Sequence, residues 1–172
     1  VVTSLFEGGG DDVATSIGTL GKHPPTAVVL YDLIPWIYQK PYLDNPRVRV
    51  WYEEKLQHLR RATQWLSISE SSRQEGIQHL GLPQDAVVNI STAADPQFFR
   101  KDIAESEAHA LRQKYGLTRP FLMYTGGIDH RKNIDGLIRA YATLSQDVRS
   151  THQLAVVCSV QPHSRQMLEQ LA

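Results

Sequence analysis

Short apolar runs alternate with helical patterns along the chain, and that alternation leaves few folds open. Thr26 to Tyr31, Trp65 to Ser69, Ala86 to Ile90, Pro120 to Thr125 and Gln153 to Ser159 each read as a strand. The first of them is continuous and rich in β-branched residues, as strands buried on both faces tend to be. Helical patterns lie between the runs, and strands separated by helices pair in parallel through right-handed crossovers. A doubly wound α/β organisation follows. No internal repeat and no low-complexity tract interrupts it.

The helices have recognisable ends. Asp12 to Leu20 reads as the end of a helix closed by Gly21 and Pro24, and Asp11 and Asp12 after Gly8 to Gly10 read as its cap. Residues 32–46 carry Pro35, Pro41 and Pro46 and form a loop at the carboxyl end of the first strand, the edge where α/β sheets bind ligands. Pro46 can open a helix at its first position, with Val48, Tyr52, Leu56 and Leu59 on one face. Ser69, Ser71 or Ser72 can cap a helix that runs to Leu80 and ends at Gly81 to Pro83. Residues 91–103 are polar and irregular, the composition of a crossover between domains. Glu105 to Tyr115 forms a helix closed by Gly116, and Ile134, Leu137, Ile138, Tyr141 and Ala142 make the apolar face of another. His163 to Leu171 begins the last.

Composition excludes more than it selects. The 172 residues are 41% hydrophobic and balance 18 acidic against 18 basic side chains, so no basic face for nucleic acid is indicated. One cysteine, Cys158, rules out an intramolecular disulfide framework or a Cys-rich zinc site and makes a reduced, cytoplasmic setting the default. The seven histidines are scattered, with none in metal-ligand spacing. No run approaches the roughly 18 apolar residues of a membrane span. Val1 to Glu7 lacks a basic n-region, and without an initiator Met the chain is expected to begin inside a longer protein.

The segment from Phe121 to Tyr141 has the anatomy of an anion site. Its strand ends in Gly126 and Gly127, which let the backbone turn sharply and let a ligand approach where no Cβ intervenes. Arg131 and Lys132 then open an amphipathic helix, whose positive dipole end points to the same place. Cations are disfavoured at a helix N-terminus unless an anion is present, which favours a functional reading. The glycine spacing fits neither a Walker loop nor a dinucleotide fingerprint.

Residue by residue, this loop resembles the donor-phosphate loop of the family-4 (group 1) retaining glycosyltransferases. That loop commonly reads Tyr-x-Gly-x-x-x-x-Arg-Lys-Asn before a Leu-Ile-x-Ala-Tyr helix. Tyr124, Gly126, Arg131, Lys132, Asn133, Leu137, Ile138, Ala140 and Tyr141 fall on the pattern. Three more stretches match in order: Val28 to Trp36, with its Tyr-Asp-Leu-Ile-Pro turn; Leu66 to Arg73, similar to Ile-Ser-Glu-x-Ser-Arg; and Val87 to Ile90 followed by Asp95-x-x-Phe98. Together they cover roughly residues 5 to 145.

The resemblance implies a GT-B architecture of two Rossmann-like, doubly wound parallel-sheet domains, both incomplete in this chain. Residues 1–95 would belong to the acceptor-side domain, 96–115 to the interdomain crossover and helix, and 116–172 to the first part of the nucleotide-sugar donor domain. It further implies sugar transfer with retention from a nucleoside-diphosphate sugar to a glycan or lipid-linked glycan acceptor, without a metal or other cofactor. The setting would be cytoplasmic, at the inner face of a membrane, with peripheral association. The family's Glu-x7-Glu motif has no counterpart, since no two glutamates stand eight apart. The isolated chain is therefore expected to be inactive and to need the rest of its parent.

On that reading Arg131 and Lys132 stabilise the departing β-phosphate, with Gly126, Gly127 and Asn133 contributing to the same donor site. Many relatives place an Arg where this chain has Gly127, which shifts the load to Arg131. Tyr31, Asp32 and Arg73 fall on the acceptor side. Tyr31 occupies a position that is often His and cannot replace an imidazole in proton transfer near neutral pH. Asp32 can act on the sugar or order the Leu33 to Pro35 turn, and Arg73 can face the cleft or form a solvent-facing salt bridge. The alternatives are a sugar-nucleotide epimerase or phosphorylase on the same fold, or a non-enzymatic hinged ligand-binding protein. The last predicts no Arg-Lys pair at a helix N-terminus.

Overall fold

A computed structural model describes residues 1–8, 15–19 and 24–172, and the expected helix start and cap at residues 11–14, with the Gly21 stop, lie outside them. Residues 15–19, the remaining part of that expected helix, form a bend and no helix. The chain divides into two compact units, Val1–Phe98 and Phe99–Ala172.

The first unit is built on three parallel strands in sequential order: β1 (Ala27–Leu30), β2 (Gln64–Ser67) and β3 (Val87–Asn89). Val28 pairs with Trp65, and Trp65 with Val87. Beyond β1 the chain start makes a single parallel bridge, with Val2 donating to the Ala27 carbonyl and accepting from Val29 N–H. The crossovers run through α3 (Pro46–Arg60) and α4 (Glu70–Leu80). Asn45 caps α3 by accepting the Arg47 N–H, with Pro46 behind it, and Gly81 closes α4 in the left-handed region.

Val28, Leu30, Leu33, Leu43, Leu56, Leu59 and Trp65 form the centre of the core. Trp65 also donates its indole N–H to the Leu59 carbonyl at 2.8 Å, satisfying the one polar atom that its burial would strand. Tyr52, Leu56 and Leu59 hold the expected buried face of α3, but Val48 is exposed. The proline-rich loop is more ordered than its composition suggests. It contains two one-turn helices, α1 (Ile34–Ile37) and α2 (Gln39–Tyr42), because Pro35 suits the first turn of a helix.

A second face of α3 buries Lys55 and His58, and Arg61 follows at the helix end. Lys55 donates to the carbonyl and hydroxyl of Thr15, each at 2.7 Å, while Arg61 reaches the Ile17 carbonyl and His58 meets the Ile17 backbone. These side chains hold the 15–17 bend against the helix.

The second unit pairs β4 (Phe121–Thr125) in parallel with β5 (Gln153–Val157). Around them lie α5 (Glu105–Lys114), α6 (Ile134–Ala142), α7 (Gln146–Thr151) and α8 (Pro162–Leu171). Sequence patterning gives no sign of α7. This short helix is held by a Ser145 cap and by Thr151 bonding back to Asp147, a local arrangement without hydrophobic period. Gln153 ties the unit together, accepting from Arg119 N–H and donating to the Gly116 carbonyl. Residues 90–104 contain no helix or strand and are exposed throughout.

Candidate functional site

In the second unit the glycine loop is set by three local devices. Gly126 takes φ +150°, and a Cβ there would lie 3.1 Å from the Tyr124 hydroxyl, so the position requires glycine. Tyr124 donates that hydroxyl to the Gly127 carbonyl at 2.7 Å, while Gly126 N–H donates to Val157 on β5. Gly127 itself has open space where a side chain would project.

The cations do not open α6 as expected. Arg131 and Lys132 occupy a separate 3₁₀ turn, His130–Lys132, and Asn133 follows in the left-handed conformation at φ +50°. The reason is capping. Asp129 accepts the Arg131 N–H and Asn133 accepts the Gly136 N–H, so two Asx-type turns start two short elements in succession. A Cβ on Gly136 would collide with the Asn133 carboxamide. Asn133 thus begins the helix that carries Ile134 and Ile138 into the unit's core.

Arg131 also pairs with Asp129 through Nε at 3.4 Å, and both side chains are well exposed. An exposed pair of this kind contributes about 0–1 kcal/mol, little enough for a phosphate to compete for the guanidinium. Lys132 is exposed beside it.

In the first unit Tyr31 and Asp32 follow directly on β1. Asp32 Oδ1 accepts the Ile34 N–H at 3.1 Å, ordering the turn, and Glu75 accepts the Leu33 N–H at 3.1 Å. Ser72 donates its hydroxyl to the Tyr31 carbonyl. The turn is therefore pinned by its own aspartate and by two residues of α4, with Leu33 buried beneath it. The Tyr31 side chain is 60% exposed. Glu75 falls on no motif; the packing of α4 over β1 alone brings it to this turn.

Arg73 forms a salt bridge, one of its two expected roles, and makes backbone contacts besides. Its guanidinium donates to the Val87 and Gln84 carbonyls at 2.9 and 3.1 Å and pairs with Glu70 at 3.1 Å. These bonds fasten α4 to β3 and to the turn before it. Gln74 and Arg73, as donors to Glu70, hold that carboxyl below its ordinary value.

Behind the Tyr31–Asp32 turn lies a cavity of about 310 Å³, walled by Phe6, Trp51 and Tyr52 and reaching Asp32. Burial, and then the Asp32 and Glu75 carboxylates, push the Tyr52 phenol far above its usual range, so it stays protonated wherever the protein is folded at neutral pH. A backbone contact at Trp36 pulls weakly in the opposite direction. Among the described residues no group of three or more His, Cys, Asp or Glu is placed to hold a metal, and no helix is long and apolar enough to cross a membrane.

The chain is similar along its length to glycosyltransferases. It is 33% identical over 171 residues, 99% of the chain, to the serotype-specific mannosyltransferase WbdA of Escherichia coli, of which it spans 21%. It is 34% identical over 113 residues, 64% of the chain, to the O-antigen chain mannosyltransferase B of Escherichia coli, of which it spans 29%. The chain thus covers well under a third of the length of either relative. No family model matches it.

Proposed function

We propose that this chain belongs to a family-4 retaining glycosyltransferase of GT-B architecture, and that the whole protein transfers a mannosyl group from a nucleoside-diphosphate mannose to a glycan or lipid-linked glycan. The observation that carries the reading is the Tyr124–Asn133 loop. A strand end locked by Tyr124, a glycine with open space at 127, and two exposed cations before an Asn-capped helix make a receptor for a diphosphate. Similarity to mannosyltransferases over 99% of the chain supports the same class and suggests the sugar.

The chemistry follows from charge. As the bond from the anomeric carbon to the β-phosphate oxygen breaks, negative charge grows on the phosphate and the sugar becomes oxocarbenium-like. Arg131, Lys132 and the backbone N–H groups near Gly126 and Gly127 are assigned to the first charge, where fixed donors lower the barrier directly. Asn133 orients this group by starting α6. Tyr31 and Asp32 are assigned to the sugar-facing side, with Asp32 stabilising the positive charge on the ring. Arg73 is assigned to the support of that wall.

In this reading residues 1–95 are acceptor-side domain, 96–115 the crossover and 116–172 donor-side domain. Transfer needs no metal, because the cations replace one. The setting is the cytoplasmic face of a membrane, with peripheral association.

Calorimetric titration of the full-length protein with UDP and GDP tests the reading. Arg131→Ala and Lys132→Ala should each weaken nucleotide binding by about 1.5–3 kcal/mol, the cost of a lost charge-assisted contact. Unchanged affinity in both variants would remove the loop from the donor site.

A further inference from the structure

The backbone N–H groups at the end of β4 are not equally free to meet a phosphate. Gly126 N–H is committed to the Val157 carbonyl on β5 at 3.3 Å. Those of Gly127 and Ile128 donate to no other group among the described residues, and both residues are exposed.

Which way these donors point depends on one hydroxyl. Tyr124 donates to the Gly127 carbonyl at 2.7 Å, and its hydroxyl lies 3.1 Å from where a Cβ on Gly126 would stand, so the ring lies against the loop. The peptide that joins Gly127 to Ile128 is planar and trans, and its carbonyl and N–H point in opposite directions. With the carbonyl turned to Tyr124, the Ile128 N–H is turned away from the tyrosine hydroxyl. No other hydrogen bond holds that peptide among the described residues. Gly127 has open space where a Cβ would project, so nothing on the residue itself resists a flip of the peptide. A flip would present a carbonyl in place of an N–H and turn attraction for an anion into repulsion. Folding does not depend on the hydroxyl, because the Gly127 carbonyl is exposed and water would serve it as well. A contact that folding can do without, placed on the one peptide of the loop that could turn the wrong way, points to a task in binding.

We propose that Tyr124 is a positioning residue of the donor site: its hydroxyl fixes the Gly127–Ile128 peptide so that the Ile128 N–H meets the β-phosphate of a nucleoside diphosphate. The proposal rests on the reading of this loop as the diphosphate site, whereas the lock itself rests on geometry alone. Arg131 and Lys132 supply charge through long, exposed side chains, and the fixed N–H supplies direction.

The test uses the full-length protein with UDP and GDP as probes and with UMP and GMP as controls that lack the β-phosphate. Tyr124→Phe removes the hydroxyl and keeps the ring. Calorimetry reads affinity, and a melting curve reads the fold. The expected result is about three- to ten-fold weaker diphosphate binding in Tyr124→Phe, the worth of one hydrogen bond, with monophosphate binding and melting as in the wild type. Undiminished diphosphate affinity in Tyr124→Phe overturns the proposal, and it leaves the donor site in place if Arg131→Ala still loses affinity. Equal losses for diphosphate and monophosphate make the hydroxyl a brace of the loop's fold and overturn the proposal as well. A wild-type protein that binds neither UDP nor GDP removes the diphosphate reading, and the proposal falls with it.

Discussion

Two adjacent glycines in the phosphate loop have unequal tasks. Gly126 is held at φ +150° against the Tyr124 hydroxyl, whereas Gly127 faces open space. Gly126→Ala should therefore destabilise the second unit by about 1–3 kcal/mol, the usual cost of forcing a side chain into such backbone. Gly127→Ala should stay within about 0.5 kcal/mol of wild type, as surface changes do. Urea denaturation of the two variants followed by far-UV dichroism measures both, and equal losses would show that the turn does not discriminate between them. A nucleotide titration of Gly127→Ala adds a second readout, since an alanine that is harmless to folding and harmful to binding would mark the ligand's approach. Both glycines were visible in the sequence as a pair. Their difference was not, because it depends on where the Tyr124 ring lies.

At the level of elements, the sequence was most legible where a local rule decides the outcome. Ser69 caps α4, Gly81 ends it left-handed, and Pro46 opens α3 behind Asn45, all from residue types whose preference acts within one turn. It was less legible where two local rules compete. Arg131 and Lys132 looked like the first turn of a helix, yet Asp129 and Asn133 each cap, and the earlier cap claims the cations for its own short turn. Val48 fits the helical period of α3 but lines the open cavity beside Trp51 and Tyr52 instead of the core. The short helices α1, α2 and α7, of four to six residues, are too short to carry a period at all. The Asn133 hinge gives a sharp expectation. Asn133→Ala loses the cap, worth about 1 kcal/mol, and forces a left-handed alanine, worth about 1–2 kcal/mol more. Asn133→Gly keeps the backbone easy and should cost only a few tenths of a kcal/mol. Equilibrium unfolding that ranks the glycine variant below the alanine variant would refute this account of the loop.

For the whole molecule the difference between the units matters most. The first buries a continuous cluster from Leu5 to Val87, whereas among the described residues of the second only Ala108, Ile134 and Ile138 are buried apolar side chains. Leu122 and Met123 on β4 are more than half exposed. In the isolated chain, hydrogen exchange should thus protect β1, β2 and β3 longer than β4 and β5, and trypsin should cut first at Arg100 or Lys101 in the exposed 90–104 segment. Slower exchange in β4 than in β2 would reverse this ranking. The alternation of strands and helices was plain from the sequence, and so was the irregular stretch near residue 95. The shallow burial of the second unit was not, because an apolar strand looks the same in sequence whether or not a second layer covers it. One consequence concerns how the molecule can be watched. Trp36, Trp51 and Trp65 all lie in the first unit, and Trp65 is buried at its centre. Indole emission therefore reports on one half of the chain while circular dichroism averages over both. A gap between the two melting curves would separate the halves optically, with no label and no cleavage.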